Sequence, residues 1–201
     1  KPFLGEQTNE ENRALNLALM TDSQEKAKVV ALERLGYDVE KTPIGSFLED
    51  VDPSYPAAAV LKPGMTVVGA DGTPVRSTDE LVAAIGKGKP GDDIELSVIP
   101  LEGGKPVKVT ATLGERAGQP GVAALGVAPV DRFHYGFPVD IRIDTGKVGG
   151  PSAGLAFTLA ILDRMTPGRL TGGDRMAVTG TIELDGSVGP VGGVDHKTEA
   201  A

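Results

Sequence analysis

The stretch VGGPSAGLAF, Val148 to Phe157, places a serine where chemistry is possible. Two glycines and a proline lead into Ser152, and an apolar run of good helix formers follows. Pro151 suits the first turn of a helix, where its missing N–H costs nothing. Ser152 is therefore expected at a helix N-terminus among unpaired backbone N–H groups. That position has two uses. A serine there caps the helix; it can equally act as a nucleophile, with the free N–H groups and the helix dipole stabilising an oxyanion.

A nucleophile needs a base, and the sequence offers three. His134 sits in DRFHYGF beside aromatics. His196 and Lys197 are adjacent in the closing HKTEAA, read as the start of a helix, where neighbours point about 100° apart and only one can face the serine. A serine–histidine pair wants a third, orienting group, and Asp195 is adjacent in sequence only. A serine–lysine dyad needs no third member, but its lysine must be neutral, which desolvation favours by lowering the pKa.

Composition narrows the chemistry further. With no cysteine among 201 residues there is no disulfide frame and no thiolate chemistry. Two histidines exclude a three-histidine metal site, and no metal or cofactor is expected. A net charge of -8 argues against a nucleic-acid surface. No apolar run approaches the roughly 20 residues that span a bilayer. Two motifs are decoys. GKGKPG, 86–91, matches G-x-G-x-x-G, but a helix precedes it and a strand follows, the reverse of a dinucleotide site. Asp144-Thr145-Gly146 matches the aspartic protease tripeptide, but that chemistry needs two carboxylates and the chain has one copy; an Asx turn is expected.

The elements that must position Ser152 are predicted as α+β. Residues 1–40 form an N-terminal helical segment. ENRALNLALM gives one helix, and Thr21 with Gln24 at capping-box spacing opens a second, which Gly36 stops. Residues 41–115 form a β-rich module. SFLEDV is a strand, MTVVGADGTPV a strand, Asp-Gly turn and strand, and STDELVAAIG a helix capped by Ser77 and Glu80. DIELSVIPL and VKVTATL alternate as a hairpin with one buried face. Residues 116–126 are a linker. From 127 to 201 strands (FPVDIRI, MAVTGTIEL, VGPVGGV) interleave with the helix after Ser152.

Longer motifs sharpen this. GPSAG at 150–154, TGTIELDGSVGPVGG at 179–193 and a lysine four residues after the second glycine of that GG resemble the Lon-type serine protease domain. The resemblance implies that Ser152 is the nucleophile, Lys197 its general base and Thr179 a hydrogen-bond partner that orients the lysine. The backbone at Ala153 would serve as an oxyanion donor. His196 has no catalytic part in it. Residues 44 to about 113, including YPAAAVLKPGMTVVGADGTPVRSTDELVAAI, resemble a bacterial PDZ domain, with Met65 where an acidic residue commonly follows LKPG. That implies peptide capture by strand addition at Ile44, Gly45, Ser46, Phe47 and Leu48 beside the Ser77 helix.

A PDZ domain ahead of a Lon-type domain, with no Walker A sequence, resembles the ATP-independent PDZ–Lon proteases of bacteria. Gly149, where classical Lon enzymes often carry an acidic residue, agrees with that subgroup. The resemblance implies a protease of unstructured or C-terminal polypeptides. It also implies a homo-oligomer, hexameric in intact members, and an extracytoplasmic place held by a membrane segment absent from this chain. The family domain continues past the lysine helix, so a C-terminally incomplete domain is expected. The competing reading is a peptide-binding PDZ scaffold or adaptor with an inactive Lon-like domain.

Overall fold

A computed structural model describes residues 9–146 and 149–193. Its elements are helix α1 (Asn9–Arg34), strands β1 (Glu40–Val51), β2 (Thr66–Ala70) and β3 (Thr73–Pro74), helix α2 (Thr78–Ile85), strands β4 (Asp93–Ile99), β5 (Val107–Thr112), β6 (Gly114–Glu115), β7 (Ala123–Ala124) and β8 (Val127–Gly136), and helix α3 (Gly154–Met165). Contacts divide the chain into two compact units. One gathers 41–134 with 9–15; the other gathers 16–40 with the described residues from 135 onward.

The first unit is built on alternation. Ile94, Leu96 and Val98 of β4 turn inward while Asp93 and Glu95 stay exposed. In register, Ile94 faces Ala111, Leu96 faces Val109 and Val98 faces Val107. A side-chain period of 2 places Ile94, Leu96, Val98 and Ala111 on the core, while Val107 at the start of β5 stays exposed, against the expectation that this whole face is buried. The sheet runs β5-β4-β2-β1-β8, with β3 attached to β2, and β6 pairs with β7 separately. Asp71 and Gly72 both have positive φ, 47° and 75°. That is the primed hairpin turn that Asp-Gly favours. Leu48, Leu61, Val67, Leu81, Leu96, Val98 and Leu125 are fully buried in the core.

Helix α2 opens as expected, with the Ser77 hydroxyl accepting from the Glu80 N–H. The Glu80 carboxylate accepts from the Arg76 N–H rather than from Ser77, one residue outside the usual box. GKGKPG is the expected helix stop and turn: Gly91 has φ 93° and its N–H donates to the Leu113 carbonyl. Residues 123–125, read from sequence as linker, belong to this unit's core, which buries Ala123 and Leu125. β8 through His134 is also gathered here.

The second unit departs from the sequence reading in two places. The N-terminal helices are one continuous helix, α1. Thr21 does not cap; its hydroxyl donates to the Leu17 carbonyl one turn back, the local bond a mid-helix threonine makes. Gly36 does stop the helix: at φ 85° it lets the Tyr37 N–H reach the Leu32 carbonyl. The other departure concerns FPVDIRI, MAVTGTIEL and VGPVGGV, which run without strand pairing among the described residues. A strand is defined by successive bonds to a neighbour, and here the bonds are isolated. Glu183 and Ser187 still close a turn across Asp185-Gly186, with the Glu183 N–H donating to the Ser187 carbonyl at 3.0 Å.

Removing the Leu96 side chain tests the first unit's core. Leu96→Ala leaves a cavity between β2, β4 and β5 and is expected to cost about 3 kcal/mol, read as a lower urea midpoint in chemical denaturation.

Candidate active site

Ser152 lies in the tight turn that opens α3. Gly150, at φ 94°, turns the chain, a conformation that favours glycine. Pro151–Ala153 form one 3-10 turn and α3 begins at Gly154. The expected helix start is therefore present, but the N-cap positions fall on Gly150 and Ala153 and neither carries a side-chain cap. Ser152 stands inside the turn, half-buried, and does not cap α3.

The turn is held through its backbone. The Gly180 N–H donates to the Ser152 carbonyl at 2.9 Å, and the Leu155 N–H donates to the Gly180 carbonyl at 3.1 Å. The Thr179 hydroxyl donates to the same Ser152 carbonyl at 3.1 Å. GPSAG and TGTIELDG, separated in sequence, thus meet residue on residue. Their glycines explain how. A Cβ on Gly180 would lie 2.8 Å from Val188 Cγ1, and one on Gly154 would lie 2.7 Å from Ile182 Cγ2 and 2.8 Å from Ser23 Oγ. The absence of side chains lets the two segments close.

Helix α1 supplies the other wall. The Gly150 N–H donates to the Asn16 carbonyl at 2.8 Å, and the Ser23 hydroxyl donates to the Pro151 carbonyl at 3.0 Å. Gln24 donates to the Thr145 hydroxyl at 3.4 Å. Lys26 pairs with Asp22 at 3.0 Å and with Glu183 at 3.3 Å, tying α1 to the DGS turn. Burial works against the Lys26 ammonium, but the two carboxylates outweigh it and raise its pKa above the ordinary 10.5. Burial is also the main reason the Tyr135 phenol is shifted upward, reinforced by Asp22, Glu25 and Glu33.

Ser23 and Asn16 were not legible as site residues. The available signal was a stripe of small residues at i, i+4 spacing, Ser23, Ala27 and Ala31, all buried, which is the pattern of a helix face in close contact.

The remaining sequence candidates divide as follows. Thr179 and Ala153 adjoin Ser152. Lys197 and His196 lie outside the described residues. His134 is exposed on β8 of the first unit, in a strand rather than the loop its sequence suggests. Asp144 makes the expected Asx turn, accepting from the Gly146 N–H at 2.9 Å. Along α3 an open groove of about 570 Å³ is lined by Val139, Ile141, Phe157, Ile161, Arg164 and Met165. Among the described residues no group of three or more histidine and carboxylate side chains is placed to hold a metal, and no helix is long and apolar enough to cross a membrane.

The peptide-capture candidates lie on β1. Ile44 is exposed, while Gly45, Ser46, Phe47 and Leu48 are buried. The Ser46 hydroxyl is 3.2 Å from that of Thr78. Phe47 lies under the Arg132 guanidinium at 5.5 Å, and that group donates to the Thr66 hydroxyl at 2.8 Å. Asp131 of β8 accepts from the Thr78 N–H at the start of α2, at 2.6 Å.

Two domain families match the chain, with sequence limits that differ from those of the two compact units. Residues 15–113 match the PDZ domain family, and residues 122–201 match the Lon protease (S16) C-terminal proteolytic domain. The chain thus carries a match to a PDZ domain followed by a match to a Lon-family proteolytic domain. It is similar, at 38% identity over 117 residues, to a probable periplasmic serine endoprotease DegP-like of Halomonas elongata, covering 52% of this chain and 23% of that protein. A Lon protease of Halothermothrix orenii is 32% identical over 119 residues, covering 54% of this chain and 15% of the relative. The chain spans less than a quarter of the length of either. Among solved structures, the PDZ domain of the SdrC-like protein of Listeria monocytogenes aligns at 25% identity and a TM-score of 0.41, over 45% of this chain and 93% of that one.

The Lys26 bridge gives a pH-dependent expectation. A pKa raised by folding means that the folded state holds the proton more tightly, so the stabilisation is complete below about pH 10.5 and is lost as pH rises through the raised value. Lys26→Met should lower Tm at pH 7, and its gap to the parent should narrow in more alkaline buffer. A gap that is constant with pH would assign the effect to the lysine stem instead.

Proposed function

We propose that this protein is an ATP-independent serine endopeptidase using a Ser152–Lys197 dyad, with the PDZ domain recruiting unstructured or C-terminal polypeptide segments. The observation that carries the reading is the junction at Ser152: the Thr179 hydroxyl and the Gly180 amide both bind the serine's own carbonyl. The side chain to which the family resemblance gives the lysine-orienting role is therefore bonded to the backbone of the residue to which it gives the nucleophilic role.

In this mechanism neutral Lys197 takes the proton of Ser152 Oγ as that oxygen attacks a peptide carbonyl. The oxyanion is bound by backbone N–H groups near Ser152 and Ala153, each worth about 3 kcal/mol in comparable sites. The lysine then protonates the leaving amine as the C–N bond breaks. It next takes a proton from water as the water oxygen attacks the acyl-enzyme, and returns that proton to Ser152 Oγ as the acyl C–O bond breaks. Thr179 keeps the lysine amine in line, and the groove along α3 accepts apolar substrate side chains. The activity belongs to an oligomer held extracytoplasmically by a membrane segment outside this chain.

Peptide hydrolysis by the full-length protein tests the dyad. Ser152→Ala and Lys197→Ala should each lower kcat by at least about 10³-fold. Thr179→Val should lower it by about tenfold. The parental rate should climb with pH through the lysine's depressed pKa and be indifferent to ATP. Cleavage by both alanine variants at the parental rate would end the proposal. If the parent binds peptides without cleaving them, the scaffold reading takes its place.

On the PDZ side, β1 lies between β2 and β8, so a peptide added along Ile44–Leu48 exchanges with β8. Removing the β8 contacts with Asp131→Ala and Arg132→Ala is expected to tighten binding of a hydrophobic C-terminal peptide in fluorescence polarisation. Unchanged or weaker affinity counts against exchange.

A further inference from the structure

We propose that Ser23 is a positioning residue for Ser152, an inference that rests on the protease reading above. A hydroxyl on a helix ordinarily turns back on its own chain, four residues toward the N-terminus. Thr21 and Thr158 do so, donating to Leu17 and Gly154, and Thr166, the C-cap of α3, likewise donates to Leu162. Ser23 instead directs its proton out of α1 to the Pro151 carbonyl, the residue immediately before the candidate nucleophile. It does this while 3% exposed, where a polar group is costly unless bonded.

The Pro151 carbonyl also accepts the Gly154 N–H that closes the 3-10 turn. One oxygen thus joins the turn's own bond to the helix behind it. A second attachment lies seven residues earlier on α1, two turns along the same face: the Asn16 carbonyl takes the Gly150 N–H. Successive residues 150 and 151 are therefore held at two points of one rigid helix. The third side is steric, since Gly154 meets Ser23 Oγ and Ile182 as closely as glycine permits. Ser23 lies outside the 122–201 segment that matches the Lon-family domain, so this hold comes from upstream chain. Ser23 touches no reacting atom; it acts by fixing the turn on which Ser152 sits.

The test compares the full-length parent with Ser23→Ala, Val29→Ala and Ser152→Ala. The readouts are kcat and KM for a fluorogenic peptide, the rate at which a fluorophosphonate labels Ser152, and Tm. Losing the Ser23 bond frees the turn, and Ser23→Ala should show about tenfold lower kcat and labelling rate at unchanged KM. Val29→Ala removes buried apolar contact from the same helix. It should lower Tm while leaving kcat and labelling at parental values in the folded range. Parental kcat and labelling in Ser23→Ala, with Ser152→Ala inactive, would overturn the positioning role and leave the protease reading intact. Equal kinetic losses in Val29→Ala and Ser23→Ala would reduce Ser23 to general helix stability and also overturn it. Undiminished cleavage by Ser152→Ala would remove both readings together.

Discussion

The bond from the Gly180 amide to the Ser152 carbonyl is the constraint on which the candidate site depends. It is one half of an exchange, returned by Leu155 to the Gly180 carbonyl, and it fixes where α3 begins relative to the segment after Thr179. The exchange requires two bare Cα atoms, because side chains on Gly154 and Gly180 would enter Ile182, Ser23 and Val188. Gly154 and Gly180, one from each motif, are thus explained by packing. The same closeness places a threonine hydroxyl on the backbone of the serine.

The first unit answers a different constraint, the burial of a twofold-alternating hairpin. Its core needs no special chemistry, only Ile94, Leu96 and Val98 facing one way. Polar groups caught inside are paired: Thr66 receives Arg132, and Ser46 meets Thr78. Arg132 also covers Phe47, so one side chain satisfies a buried hydroxyl and shields an aromatic ring. These side-chain contacts tie β8 to β1 and β2.

Local sequence rules succeeded where a single residue's geometry decides the outcome. Asp71-Gly72, Ser77 and Gly36 each behave as their types require. They failed where local options compete. Thr21 and Gln24 have capping-box spacing, yet a helix passing through them keeps every backbone bond, and Gln24 bonds Thr145 instead. FPVDIRI has the composition of a strand, but composition cannot supply a neighbour to pair with. Residues 123–125 look like linker because they are small and flanked by glycine, and become core because β6 offers β7 a partner and Leu125 a place.

By itself the sequence determined the alternation of β4, the Asp71-Gly72 turn and the turn at Gly150-Pro151, which follow from residue type and spacing that a linear chain displays openly. Its resemblance to PDZ and Lon-type domains, carried by longer motifs, is what singled out Ser152, Thr179 and Lys197 as candidates. Only the tertiary structure decided that Ser152 is not a cap, that Thr179 and Gly180 share its carbonyl, and that Asn16 and Ser23 brace its turn from α1. Those facts depend on which distant backbone groups come within hydrogen-bond distance. A serine in the middle of a helix carries no mark of the carbonyl it will meet more than a hundred residues later, because the partner is chosen by packing.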